Sequence, residues 1–236
     1  ISRPANRFTV NDDIYLKAYP EFLNAEITNP SDSLETKYYA LKLMQDVIRF
    51  HQNDNNPDAL IDVELMRLDY VHVNSQNPKK DTLYFNSLKG LETKFSTSPR
   101  VTEIDHRMAN WYLQKASQYN PLVSDNYKWY RKTAKEICQA AIKKFPESYG
   151  AKECQNTIYS IEAKSMNLVA EEVNEPNKPF RAMVASTNIN KIYFKIVKTS
   201  HLELRKYYRN YYSDKLYNKL NALPTVKTFE QEIPND

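Results

Sequence analysis

Glycine is nearly missing from this chain. Only Gly90 and Gly150 occur among 236 residues. Loops that cradle phosphate need several glycines for close backbone approach, so P-loop and dinucleotide-binding motifs are excluded. The turns fall instead to twelve prolines and to Asn and Asp. Histidine is scarce as well. His51, His72, His106 and His201 stand alone, with no His-x-x-x-His or His-x-His spacing. Metal sites draw their ligands from defined spacings, so no metal or other cofactor is expected. No run approaches the ~18 apolar residues of a spanning helix, and the mean hydropathy is −0.72, so no membrane span is expected. Charge of one sign is also lacking. The net charge of +4 is what 33 Lys and Arg leave over 29 Asp and Glu. A nucleic-acid binder usually shows a dominant basic stripe, and none is expected here.

What remains is ordinary globular composition, 41% hydrophobic and 26% charged, in a chain long enough for one large or two small cores. The chain starts at Ile1 without a signal-peptide pattern. Its last strand-like run, Thr225 to Ile233, has no later strand to pair with before Asp236. Either a leader was removed or the sequence begins after one, and a fragment of a longer protein is the expectation.

Residues 1–33 give weak signals. Ile14 to Phe22 reads as a short helix ending before Pro20, and Ser31, Asp32 or Ser33 is placed to cap the next helix. Six helices are then predicted by apolar recurrence at three and four residues: Leu34–Phe50, Asp58–Val73, Thr82–Phe95, Arg100–Tyr119, Asp125–Phe145 and Ser148–Lys164. In the second of these, Ala59, Val63, Met66 and Tyr70 form the predicted apolar face. Near Met166 the period changes. Asn167–Val173 alternates loosely, and Phe180–Ser186 and Lys191–Lys198 read as strands joined by a turn at Thr187–Asn190. Leu202–Leu223 is a helix with Tyr208, Tyr212, Leu216 and Leu220 at four-residue spacing. Thr225–Ile233 is a last strand, with a bulge between Val226 and Phe229.

The helical part repeats. The residues around Phe95 match those around Phe145 at a 50-residue offset, each with Lys-Phe, a Pro and Ser break, and a following helix. Phe50 with Pro57 and Ala59 is a looser third copy. Helix, Phe-x-x-Ser turn, helix is a tetratricopeptide-like (TPR-like) pattern, with a period longer than the usual ~34 residues. Such hairpins bury their apolar faces by stacking on neighbours.

Candidate chemistry is sparse. Cys138 and Cys154 lie nine residues before and seven after Glu147. In a hairpin turning there, their axial mismatch is roughly 3 Å at 1.5 Å rise per residue. They read as a buried core pair or, if both point inward in an oxidising compartment, as a disulfide. Arg205 to Tyr212 interleaves bases with tyrosines, as base-stacking surfaces do, but it also fits a helix packed with its hydroxyls at the rim. Glu171, Glu172 and Glu175 read as a solvated strand edge.

Four further features lie together: Phe145-Pro146-Glu147-Ser148, the turn from Pro176 to Phe180, the strand from Ile192 to Ile196, and the run from Leu223 to Asp236. On these the chain resembles the N-terminal part of large bacterial alpha-2-macroglobulin-like proteins, in which a TPR-like region precedes the first macroglobulin domains. The resemblance covers about the last 110 residues of this sequence, and the helical remainder only by type. It implies a periplasmic or outer-envelope protein, membrane-anchored through a leader absent from these residues, that traps or inhibits proteases through fibronectin-like β-sandwich domains. The thioester motif and bait region of that family are absent, so it implies no catalytic, cofactor-binding or metal residue.

The expected fold class is therefore α+β, mainly α. A segment at 1–33 precedes a TPR-like hairpin domain at 34–166 and a truncated, β-rich macroglobulin-like domain at 167–236 with one inserted helix. The expected function is a non-enzymatic scaffold or interaction region of an envelope protease inhibitor, with proteases or envelope proteins as partners. The alternative is a stand-alone TPR-like adaptor that binds a peptide or protein. An enzyme is not expected.

Overall fold

Six long helices, none with an internal proline, dominate residues 1–161, the first of two units into which the chain divides. The structure is a computed structural model that describes residues 8–28, 35–171, 173–175, 178–200, 202–203, 205 and 214–233, with 214–216 described as backbone only. A 3-10 turn at Asp13–Leu16 and a short helix α1 (Tyr19–Phe22) come first. The long helices follow: α2 (Thr36–His51), α3 (Asp58–Asn74), α4 (Lys80–Lys94), α5 (Val101–Ala116), α6 (Tyr130–Lys144) and α7 (Tyr149–Glu162). None of the described helices is long and apolar enough to cross a membrane.

The start of the chain corrects two expectations. Pro20 opens α1 instead of ending a helix before it, because proline has no N–H to lose in a first turn and its φ already suits the helix. Residues 8–28 also do not stand apart. Tyr15, Leu16, Tyr19 and Phe22 are buried in the main core with α2 to α5. Their backbone carbonyls are claimed by helix side chains. Gln45 Nε2 donates to Phe22 O at 3.2 Å and Ala25 O at 3.0 Å, and Arg67 donates to the carbonyls of Tyr15 and Lys17. Irregular backbone can be buried only when its polar groups are satisfied in this way. The proposed caps Ser31, Asp32 and Ser33 lie outside the described residues. Glu35 occupies the N-cap of α2, accepting from Lys37 N at 3.4 Å.

Helix α3 carries the largest correction. Its predicted apolar face leaves Ala59 exposed and Met66 exposed at 55%. Leu60, Ile61, Glu64, Leu65, Arg67, Leu68 and Val71 are buried instead. The buried face is broad, and it takes in Glu64 and Arg67 because they neutralise each other. Helix α6 starts five residues later than predicted. Tyr127 takes φ 69°, the left-handed region that side chains with a Cβ rarely adopt, and so interrupts the helix ahead of Tyr130.

The 50-residue repeat has a structural counterpart. Ser98 N donates to Phe95 O at 2.9 Å, and Ser148 N to Phe145 O at 3.1 Å. Each serine then turns its hydroxyl to the start of the next helix, Ser98 Oγ accepting from Arg100 N and Ser148 Oγ from Ala151 N. The two turns meet, with Thr102 Oγ1 and Ser148 Oγ 2.8 Å apart. The looser copy fails at its key residue, since Phe50 is exposed while Phe95 is buried.

Residues 162–236 form a second unit. Strand β1 (Ser165–Ala170) pairs antiparallel with β2 (Ala182–Thr187), in register Ser165 to Thr187. Strand β3 (Lys191–Val197) pairs antiparallel with β4 (Thr225–Glu232), and Phe194 faces Phe229 with stacked rings 4.6 Å apart. The two strands joined at Thr187–Asn190 thus belong to different sheets. Asn188 at φ 56° turns the chain between them. The bulge falls earlier than expected: Lys227, Thr228 and Phe229 pair regularly with Ile196, Lys195 and Phe194, and Val226 itself is skipped between Lys227 and Thr225. Helix α8 (Asp214–Asn221) is inserted before β4. Tyr208 and Tyr212 lie outside the described residues. The fold class is α+β, mainly helical, with two small antiparallel sheets.

Candidate functional site

Helices α3, α4, α5 and α7 enclose an open hollow of about 550 Å³ on the helical unit. Its floor is charged, and the charges are matched. Arg107 Nε on α5 donates to Asp69 Oδ2 on α3 at 2.9 Å, and Tyr84 Oη on α4 donates to Asp69 Oδ1 at 2.7 Å. Burial, followed by the Asp69 charge, pushes the Tyr84 phenol well above the ordinary tyrosine range, so it remains a donor. At one edge Asp81 collects two partners. His72 Nε2 lies 2.7 Å from Asp81 Oδ1, and Lys115 contacts Oδ2. Burial works to raise the Asp81 carboxyl, but the hydrogen bonds from Lys115 and His72 prevail and hold it below its usual value.

One wall is the polar face of α5. His106 Nε2 lies 3.1 Å from Asn110 Nδ2 and 3.2 Å from Thr157 Oγ1 on α7. Burial lowers the His106 pKa against the opposing pull of Glu153, so the ring is neutral at pH 7 and Nε2 accepts. Trp111 stacks on Phe85 at 4.3 Å, and its Nε1 is buried with no acceptor among the described residues. The other wall is α7, where Tyr149 and Glu153 sit one turn apart and therefore share a face. Tyr149 is 67% exposed.

The same tyrosine borders a second hollow of about 380 Å³, where Arg100 lies 3.4 Å from Asp62 and 3.2 Å from Glu103. Helix α7 can approach α5 here because residue 150 is glycine. A Cβ at that position would lie 2.3 Å from the Thr102 carbonyl carbon.

In comparisons with protein families, curated proteins and solved structures, nothing matches the chain.

The residues singled out from sequence are distributed differently. Cys138 and Cys154 come together in a small cluster with Ala109, Ala134, Ala141 and Ile158. Both are buried free thiols. The neighbouring Cys138 thiol, together with burial, drives the Cys154 thiol far above its ordinary value, so it is not a nucleophile. The histidines do not converge. His51 meets Asp54, His72 and His106 serve the hollow separately, and His201 lies outside the described residues. No group of three metal-ligating side chains occurs among the described residues. Glu171 is exposed, Glu175 pairs with Lys178, and Glu172 is outside the described residues. The hollow itself had one sequence signal: His106, Asn110 and Gln114 recur every four residues along α5, a polar stripe on a helix of an apolar array.

Proposed function

We propose that the chain is a non-enzymatic scaffold that holds a protein partner, with the hollow between α3, α5 and α7 as its docking point. The observation that carries this reading is the pairing of the floor charges. Asp69 and Arg107 on the floor, and Asp81 and Lys115 at its edge, pair with each other, which fixes these side chains, while the exposed Tyr149 ring offers contact area beside them. Aromatic anchors set among satisfied polar groups are a usual centre of a protein interface. The stacked Phe-x-x-Ser hairpins support a TPR-like array as the platform.

On the sequence resemblance we read this scaffold as part of an envelope alpha-2-macroglobulin-like protease inhibitor, with the second unit as the first strands of a macroglobulin domain. Support comes from the antiparallel pairs β1–β2 and β3–β4 and from the exposure of Met183, Val226 and Phe229, side chains that a sandwich partner sheet would cover. The coding sequence after Asp236 tests this. Further macroglobulin domains, with a bait segment, are the expected result. A stop codon directly after Asp236 would remove this reading and leave the stand-alone adaptor, which the same hollow and hairpins serve equally.

A further inference from the structure

Four carboxylates line the two hollows flanking Tyr149: Asp69 and Glu153 in one, Asp62 and Glu103 in the other. Only two guanidiniums face them, Arg107 and Arg100. These six groups leave two surplus negative charges on a chain whose net charge is +4. The surplus is not spread evenly. Asp69 is held by Arg107, and Asp62 and Glu103 share Arg100. Glu153 makes no ion pair or hydrogen bond among the described residues, and its charge acts on His106, which burial keeps neutral. No ring or cation stacks on Tyr149 among the described residues. A free carboxylate and an uncovered aromatic face, one turn apart on α7, are the two groups that bind an ammonium or guanidinium from either side.

We infer that this groove recognises a basic peptide segment, with one Lys or Arg side chain seated between Glu153 and Tyr149 and a second reaching the Asp62–Glu103 hollow. The inference rests on the docking reading above and adds the chemistry of the partner. Two half-satisfied acidic hollows on either side of one tyrosine favour two cations on a flexible backbone over a single compact ion. The complementary field also speeds encounter and makes binding weaken with salt.

The full chain with Trp129→Phe leaves Trp111, in the groove wall, as the fluorescent reporter. It is titrated with the N-acetylated, C-amidated peptide Gly-Ser-Arg-Gly-Ser-Arg-Gly-Ser and with the same peptide carrying Glu for Arg. A saturable change with the basic peptide below about 1 mM is expected, and none with the acidic one. Glu153→Gln and Tyr149→Ala, both on a solvent-facing turn, should each weaken binding roughly five- to tenfold without changing the circular dichroism. Equal affinity for both peptides, or unchanged affinity in Glu153→Gln, would overturn the inference. If the acidic peptide binds and Tyr149→Ala abolishes it, the docking function stands and the basic partner falls. If neither peptide binds, both fall.

Discussion

Arg67 and Glu64, one turn apart on α3, form a two-pronged ion pair with no solvent exposure on either side chain. Arg67 Nε and Nη2 each meet a Glu64 oxygen at 2.8 Å, the remaining donors hold the carbonyls of Tyr15 and Lys17, and the guanidinium lies 4.4 Å from the centre of the Phe22 ring. One side chain thus neutralises a buried acid and fastens the N-terminal segment to the helical core. Removing one partner leaves an uncompensated buried charge, so Arg67→Met or Glu64→Gln should each cost about 3–5 kcal/mol. The double variant should cost less than the sum, because both charges leave together. Urea unfolding of the three proteins measures this. Additive losses would mean that the pair is not coupled.

The two glycines should respond oppositely to alanine. At Gly150 the added methyl would overlap the Thr102 and Glu103 backbone at 2.3–2.5 Å, so α7 must move away from α5. A loss of about 2 kcal/mol or more is expected, in the range of overpacked core sites. At Gly90, within α4, nothing lies within 4 Å of the new carbon. There alanine should raise stability by roughly 0.5–1 kcal/mol through better helix propensity. A thermal melt of each variant gives the signs. A stabilising Gly150→Ala would refute the close α5–α7 approach.

These two sites show what periodicity reports and what it misses. Apolar spacing located all six long helices within a few residues, because buried residues such as Tyr84, Leu88 and Leu91 of α4 recur at three and four as a helix face requires. It mis-set the face of α3, because Glu64 and Arg67, buried as a pair, carry no apolar signal. It missed the Tyr127 break, where no Gly or Pro marks the left-handed turn. It ordered the strands but did not assign their partners, since β3 pairs across an inserted helix with β4, a long-range choice that adjacent residues do not encode. The hollow was hidden for the same reason. Asp69, Tyr84, Arg107 and Glu153 come from four helices, and only their packing brings them together.

Asp105 should make stability fall as pH rises. Burial, reinforced by the charge of Glu92 and opposed by Lys144, pushes its carboxyl up to about 6 from 3.8. The folded state therefore binds this proton more tightly than the unfolded chain does. Its stabilising effect is complete below pH 4, is lost between about 4 and 6, and is absent above. Discounted for the partial exposure of the group, the change is about 1–2 kcal/mol. Asp105→Asn removes the titration, so it should gain that amount at pH 7 and almost nothing at pH 4. Urea midpoints of variant and parent at both pH values isolate it from the other carboxylates. A gain that is the same at both would exclude Asp105 as the titrating group.

The cysteine pair gives the last test. Cys138 and Cys154 have no solvent exposure and sit among alanines where α6 and α7 meet α5. A thiol reacts as its thiolate, and here the adjacent Cys138 and burial oppose ionisation of Cys154, while neither residue has solvent exposure. The folded protein at pH 8 should therefore take up almost no maleimide over minutes. In denaturant without reductant it should take up two equivalents, since both thiols are free. Replacing Cys154 by alanine should cost about 1–2 kcal/mol for a small buried side chain, and by serine somewhat more, because a hydroxyl needs a stronger partner than a thiol supplies. Zero labels in the denatured, unreduced protein would instead establish a cross-hairpin disulfide, and with it an oxidising compartment for the chain.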